Sequence, residues 1–418
     1  MKTKVLALTM LFFSLIKILP AQTSDSVVAS KANYLKIYLD GVYEYSDYIK
    51  QHVTFVNYVR DRFEADVHLL VTSQSTGSGG TEYTLFYLGQ LRFAGKNDTF
   101  KYVANTNNTD ETREQLTSIF KLGLMRYVAY LPEANKIKIA FDEGDKNKAD
   151  ANPVDHWKNW VFSVSADGFG QGEKSSNSLS VYGNLSADKV TDEWKINLNV
   201  SGSIHKSHYD YNSFIYDSKT DSKNINALIV KSITDHWSLG GSSSISHSTY
   251  SNYDLLAKLS PAVEYDIFPY SKSTSKTFTF LYEVTPSYQI YIDTTLYNKK
   301  EEFLVSQSLR ATLVLQQKWG SVSTSLTGSN YFHDFSKNQL SLFTRLQWRI
   351  VGGLSMNLYG GGSIIHDQLN LPGYGATDEE VLTQQKELST SYNYFASFGI
   401  SYTFGSIYNN VVNPRFGQ

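Results

Sequence analysis

Ser207 lies two residues from His205 and one from His208, and Ser246 precedes His247. A serine hydroxyl becomes a nucleophile when a base, most often imidazole, sits within hydrogen-bond reach and a third group orients that base. Neighbours on a strand point to opposite faces, so Ser246 and His247 do not meet on one face. In a chain this rich in serine, such spacings arise by chance, and no catalytic residue is assigned. The histidines at 205, 208, 247, 333 and 366 sort near the ends of expected strands, where gathered imidazoles would suit a metal. They sit on different strands, and no metal or cofactor site is assigned. Ser75-Thr-Gly-Ser-Gly-Gly-Thr-Glu82 has the glycine content of a phosphate loop. It lacks the Lys-Ser/Thr ending and joins two strands, so it reads as a hairpin loop.

Composition narrows the classes further. The 418 residues contain no cysteine, which excludes disulfides, thiolate catalysis and thiolate metal sites. A net charge of -2 gives no footprint for nucleic acid. Thirty tyrosines, 23 phenylalanines and 6 tryptophans are too many for a solvated coil. A mean hydropathy of -0.31 excludes a bundle of membrane helices, each of which needs roughly 20 mostly apolar residues.

Met1-Lys-Thr-Lys4 followed by the apolar stretch Val5 to Pro20 reads as a secretory signal peptide over residues 1–21. Residues 22–145 mix strand and helix patterns. Strands are expected at Leu35–Leu39, Ala65–Ser73, Thr81–Phe93, Thr99–Ala104 and Ile137–Phe141, and a short helix at Phe55–Phe63. The best helix starts at a capping box of Asn108 and Glu111. It continues through Leu116, Ile119, Phe120, Gly123, Tyr127 and Leu131 at helical spacing. This is a small α/β domain. Its tyrosines 43, 45, 48 and 58 are either core or a surface for a periplasmic partner. Residues 146–156 form a linker.

Period-two alternation then runs to residue 404. Leu340, Leu342, Leu346, Trp348 and Ile350 alternate with Ser341, Arg345, Gln347 and Arg349, and similar patterns recur throughout. Strands are expected at 158–170, 178–190, 193–207, 223–234, 236–248, 253–268, 276–291, 302–318, 321–333, 338–351, 354–366 and 390–405. Strands of ten or more residues suit a tilted membrane crossing. Connections after even-numbered strands are mostly tight, while several after odd-numbered strands, His208–Ser222, Ile292–Glu301 and Asp367–Ser389, are long and polar. Short periplasmic turns and long outer loops are the outer-membrane pattern. Trp157, Trp160, Trp194, Trp237, Trp319 and Trp348 all fall at one end, as membrane-interface anchors do.

The expected fold is therefore mainly β. A transmembrane antiparallel β-barrel of about 12 strands spans residues 157–405. A periplasmic α/β domain precedes it, and a periplasmic tail follows at 406–418. If the apolar face meets lipid, the charges facing the lumen are Asp167, Asp188, Lys195, Lys258, Glu264, Glu283, Arg310, Arg345 and Arg349. Acid on one wall and base on another would set a transverse field that selects solutes.

Thr191-Asp-Glu-Trp194, echoed at Thr234-Asp-His-Trp237, together with the segments Asn184–Ser203 and Val230–Ser244, resembles outer-membrane proteins of the DUF481 type. The end of the chain, Phe404 to Phe416, is similar to tails on Bacteroidetes-type barrel proteins. The resemblance covers the last 260 or so residues. It implies a barrel in a Gram-negative outer membrane and no particular chemistry. The function expected is a small-solute, porin-like pore or an envelope structural or adaptor protein. The alternative is an outer-membrane enzyme acting on lipid. Outer-membrane lipid and a periplasmic protein bound through residues 22–145 are the expected partners, with no nucleic acid and no cofactor.

Overall fold

The computed structural model describes residues 34–76, 80–104, 109–138, 155–211, 214–405 and 415. The expected signal peptide, most of the expected linker, the expected Asn108 cap, the tip of the 75–82 loop and nearly all of the expected tail lie outside them.

The first unit is a five-stranded sheet with one long helix. Its strands are β1 (Leu35–Asp40), β2 (Val56–Tyr58), β3 (Val67–Ser75), β4 (Thr81–Gly89) and β5 (Asn97–Ala104), in the order β2-β1-β3-β4-β5. β1 runs parallel to β2 and β3, and the β3–β4 and β4–β5 pairs are antiparallel. A short helix α1 (Ser46–His52) links β1 to β2, and α2 (Thr109–Val128) covers one face of the sheet. Leu35, Ile37, Val67, Leu69 and Leu85 pack there with Leu116, Phe120, Leu124 and Tyr127. Gly123 makes the close approach possible, since a Cβ would fall 2.2 Å from the Tyr87 ring. The Tyr87 hydroxyl in turn donates to the Phe120 carbonyl at 3.2 Å.

The helix expected at Phe55–Phe63 is not formed. Val56–Tyr58 is the edge strand β2, paired with Leu35–Ile37, and Arg62–Glu64 is a single 3-10 turn. Nine residues are too few for a stable helix when β-branched Val56 and Val59 can pair instead. The strand expected at 81–93 stops at Gly89, where a 3-10 turn over Leu91–Phe93 begins. The end of the strand expected at Ile137–Phe141 lies outside the described residues.

The second unit is a twelve-stranded antiparallel meander in sequence order. Its first six strands are β6 (Trp160–Gly172), β7 (Ser176–Val190), β8 (Trp194–Tyr211), β9 (Phe214–Ser232), β10 (Trp237–Ser248) and β11 (Tyr253–Asp266). The other six are β12 (Lys276–Tyr291), β13 (Glu301–Gln317), β14 (Gly320–Tyr331), β15 (Asn338–Val351), β16 (Leu354–Ile365) and β17 (Tyr392–Tyr402). The expected strands match these, mostly to within a few residues. The exception is His208–Ser222. It is no loop but the continuation of β8 and β9, paired from Lys206–Lys219 to Asp210–Ile215. Asp217-Ser-Lys-Thr-Asp-Ser222 is polar throughout, and Tyr209 and Tyr216 fall on the face opposite the apolar one, so hydropathy carries no strand signal there. Among the described residues no ladder joins β17 to β6.

The two faces differ. Val164, Leu198, Ile229, Leu259, Leu309, Leu342 and Ile400 are all exposed on the outer face. The opposite face carries mainly Ser, Asn, Thr and charged residues. Side chains from β8 to β12 on that face line one common cavity, so the face is concave.

Candidate functional site

Period-two geometry puts alternate residues of each strand on one face, and the observed register carries that parity across the sheet. Every one of the nine expected interior charges falls on the concave face. Val230 pairs with Gly240, Gly240 with Ala262, Ala262 with Glu283, and Glu283 with Ser308. Ser238–Glu264–Leu281–Arg310 is the next row toward the turn end. Glu264 and Arg310 thus stand on strands two apart, with Leu281 between them. For Arg310 the expectation of acid and base on opposing walls is corrected, since it shares a wall with Glu264, while Arg345 lies on β15, four strands from Glu264. Arg310 Nε donates to Thr327 at 3.3 Å, and the Arg345 guanidinium lies 5.1 Å from the Tyr359 ring centre.

Arg349 is the second correction. It does not project free into the interior. Its guanidinium makes an ion pair with Asp40, at the C-terminal end of β1 in the α/β unit. Asp40 is 3% exposed, and its other oxygen meets His68 Nε2 at 3.1 Å. Arg62 Nη1 donates to the Lys318 carbonyl at 2.7 Å, and Arg60 reaches the Gly405 carbonyl at 3.4 Å. The α/β unit is therefore seated on the turn end of the large sheet, under β13 to β17. Gly41 follows Asp40 at φ +86°, and a Cβ there would collide with the Val71 carbonyl. The turn that presents Asp40 therefore requires glycine.

Burial lowers the His68 pKa below its ordinary value, against the opposing hydrogen bond and charge of Asp40. Burial also pushes the Tyr38 phenol up to about 12. The unfolded chain therefore takes up a proton at His68 more readily than the folded one, so stability rises with pH there. The α/β unit is expected to be fully stable above about pH 6.5, the ordinary histidine value, and to lose stability as pH falls below it. A His68→Gln variant is expected to flatten that slope in urea melts at pH 5 to 8. An unchanged slope would remove His68 as its source.

The opposite end carries the 366–391 connection, which includes a short helix α3 (Asp378–Leu382). Asn252 Nδ2 donates to the carbonyls of Asp293 at 3.0 Å and Asn370 at 2.7 Å. Leu296 N donates to the Leu371 carbonyl at 2.9 Å, and Lys386 pairs with Glu380 at 3.0 Å. Leu369 and Leu371 are buried. A connection that leaves from β16 and is pinned beside β11 and β12 crosses the loop end of the sheet on its concave side. Burial raises the Asp367 carboxyl above its usual range there.

The six tryptophans all lie at the turn end. Lys231 sits over Trp194 at 5.3 Å and Lys189 over Trp160 at 5.9 Å. The serine and histidine candidates separate. His205 Nε2 is 3.0 Å from Ser207 Oγ, and its Nδ1 is 2.8 Å from Ser180 Oγ. No ion pair involves His205 among the described residues, and the group faces the concave side. His208 bonds Asp217 at 2.8 Å, while Ser246 and His247 bond different backbone carbonyls. Among the described residues no three His, Asp or Glu side chains gather to hold a metal.

No family model and no curated protein matches this chain. One similar solved structure is the NanC porin in a rhombohedral crystal form. It is 10% identical, with all of that chain aligned to 58% of this one, at a TM-score of 0.27.

Proposed function

We propose that this chain is a Gram-negative outer-membrane β-barrel whose interior passes small polar solutes. In this reading the α/β unit sits on the periplasmic side, and β6 meets β17 within the membrane. One observation carries the reading: twelve strands of 11 to 19 residues expose apolar side chains outward and keep polar ones inside. A soluble barrel has the reverse order, because water surrounds it and its core is dry. An even strand number places both ends of the sheet on one side, and the tight turns at that side support a periplasmic placement. The tryptophans at that end then act as interface anchors. The seating of the α/β unit through Asp40 and Arg349 favours a partial base plug over a freely presented adaptor.

The test is single-channel current across a planar bilayer, with the mature chain and with residues 156–418 alone. Stable steps are expected from both, larger by roughly twofold without the α/β unit, because pore conductance follows the narrowest section. Arg345→Ala is expected to lower anion preference. Silence from both proteins, with β-rich spectra intact, would overturn the pore.

A further inference from the structure

The concave wall is hydroxyl-rich along much of its area and apolar at a few places, among them the Phe343–Tyr359–Phe395 ring cluster and a stretch on β9 to β12. Leu228 and Val230 on β9 and Leu281 on β12 face inward and line a cavity of about 350 Å³. Between them the ladder places Gly240 and Ala262, which bring little side-chain bulk and so leave the space open. The volume lies in the range of small-molecule pockets, which combine an apolar lining with a few placed polar groups.

The polar groups are concentrated at one end. Glu264 accepts a hydrogen bond from the Tyr270 hydroxyl at 3.0 Å, and Glu283 accepts one from Ser308 at 3.2 Å. Neither carboxylate has an ion-pair partner among the described residues. The β9–β10 hairpin holds Tyr270 within its own β11–β12 turn: the Tyr270 N–H donates to the Asp235 carbonyl at 3.0 Å, and its hydroxyl lies 2.8 Å from Ser238 Oγ. The same turn is fixed by Asp266, which accepts from the N–H groups of Phe268 and Phe278 at 3.0 and 3.1 Å. Glu264 is thus a positioned carboxylate. The one cation lining the cavity, Lys195, stands on β8, at the far side from β11 and β12.

We propose that this cavity binds a small amphipathic amine, its ammonium between Glu264 and Glu283 and its apolar body on Leu228, Val230 and Leu281. Two unpaired carboxylates beside an apolar floor attract a cation that carries hydrocarbon, and reject the matching anion. The inference rests on the reading that the interior is open to solute, and names the solute class that this stretch of wall retains.

The test is calorimetric titration of the refolded full chain in detergent, with phenethylammonium and, separately, phenylacetate. Saturable binding is expected for phenethylammonium only. Glu264→Gln and Glu283→Gln keep the side-chain shape and are each expected to weaken binding at least tenfold, with folding checked by heat-modifiable gel migration. Equal uptake of both probes, uptake indifferent to either substitution, or no binding by correctly folded protein would each overturn the site. Channel steps from the same preparation keep the two readings apart. Steps without amine binding remove the site and leave the pore. Binding without steps removes the pore and leaves the site.

Discussion

Asp40→Ala is expected to release the α/β unit from the sheet. The carboxylate is buried between Arg349, whose side chain is 15% exposed, and His68, which has no exposure at all. Its removal leaves the guanidinium beside Arg62 without the carboxylate that pairs with it. Breaking a buried pair from one side costs about 3–5 kcal/mol, because the remaining charge stays desolvated. Arg349→Ala is expected to loosen the same contact less, since the Asp40–His68 hydrogen bond survives it. The measurement is amide hydrogen exchange over β1 and β3, with the β6–β17 sheet as internal reference. Faster exchange in β1 and β3 alone, greater for Asp40→Ala, is the expected result. Exchange identical to the parent in both variants would show that the seating does not depend on this pair.

Leu342→Arg is expected to destabilise the inserted protein by about 2–4 kcal/mol, the range for a cationic side chain facing lipid near mid-depth. Leu342 is half exposed on the outer face, amid Leu326 and Leu340. Its neighbour Ser341 points the other way, hydrogen-bonded to Ser363 at 2.8 Å. Ser341→Arg is expected to cost about 1 kcal/mol, the lost hydrogen bond, since the guanidinium then meets water. Urea titration of both variants refolded into lipid vesicles checks the order. A larger cost at 341 than at 342 would reverse the faces and overturn the membrane reading.

The two variants also show which layer of the structure was readable. Alternation at 338–351 and 354–366 is a local property: a strand turns over every residue, so composition alone states which residues share a face. That is why the nine charges named from alternation share one face by register, and why the six tryptophans sort to one end, although Arg349 is taken up by Asp40. The same logic failed where alternation had no hydropathy contrast. At 208–222 the apolar-outward contrast is lost, with tyrosines on the inner parity and a polar run at 217–222, and the extension of β8 and β9 was invisible. At Phe55–Phe63 a short apolar run fitted helix and strand alike, and pairing with β1 decided it.

From sequence alone follow the strand count, the parity of each strand, the end at which turns are tight and the presence of a separate α/β unit. Each depends on interactions between near neighbours. Tertiary structure alone decided that Arg349 belongs to Asp40, that the 366–391 connection crosses the loop end of the sheet to Asn252, and that Leu228, Val230 and Leu281 meet around one cavity beside Glu264 and Glu283. Asn252 and Asn370 stand 118 positions apart in the chain, and Asp40 and Arg349 309. Periodicity fixes the direction of a side chain, but the curvature of the sheet and the docking of one unit on another determine what it faces.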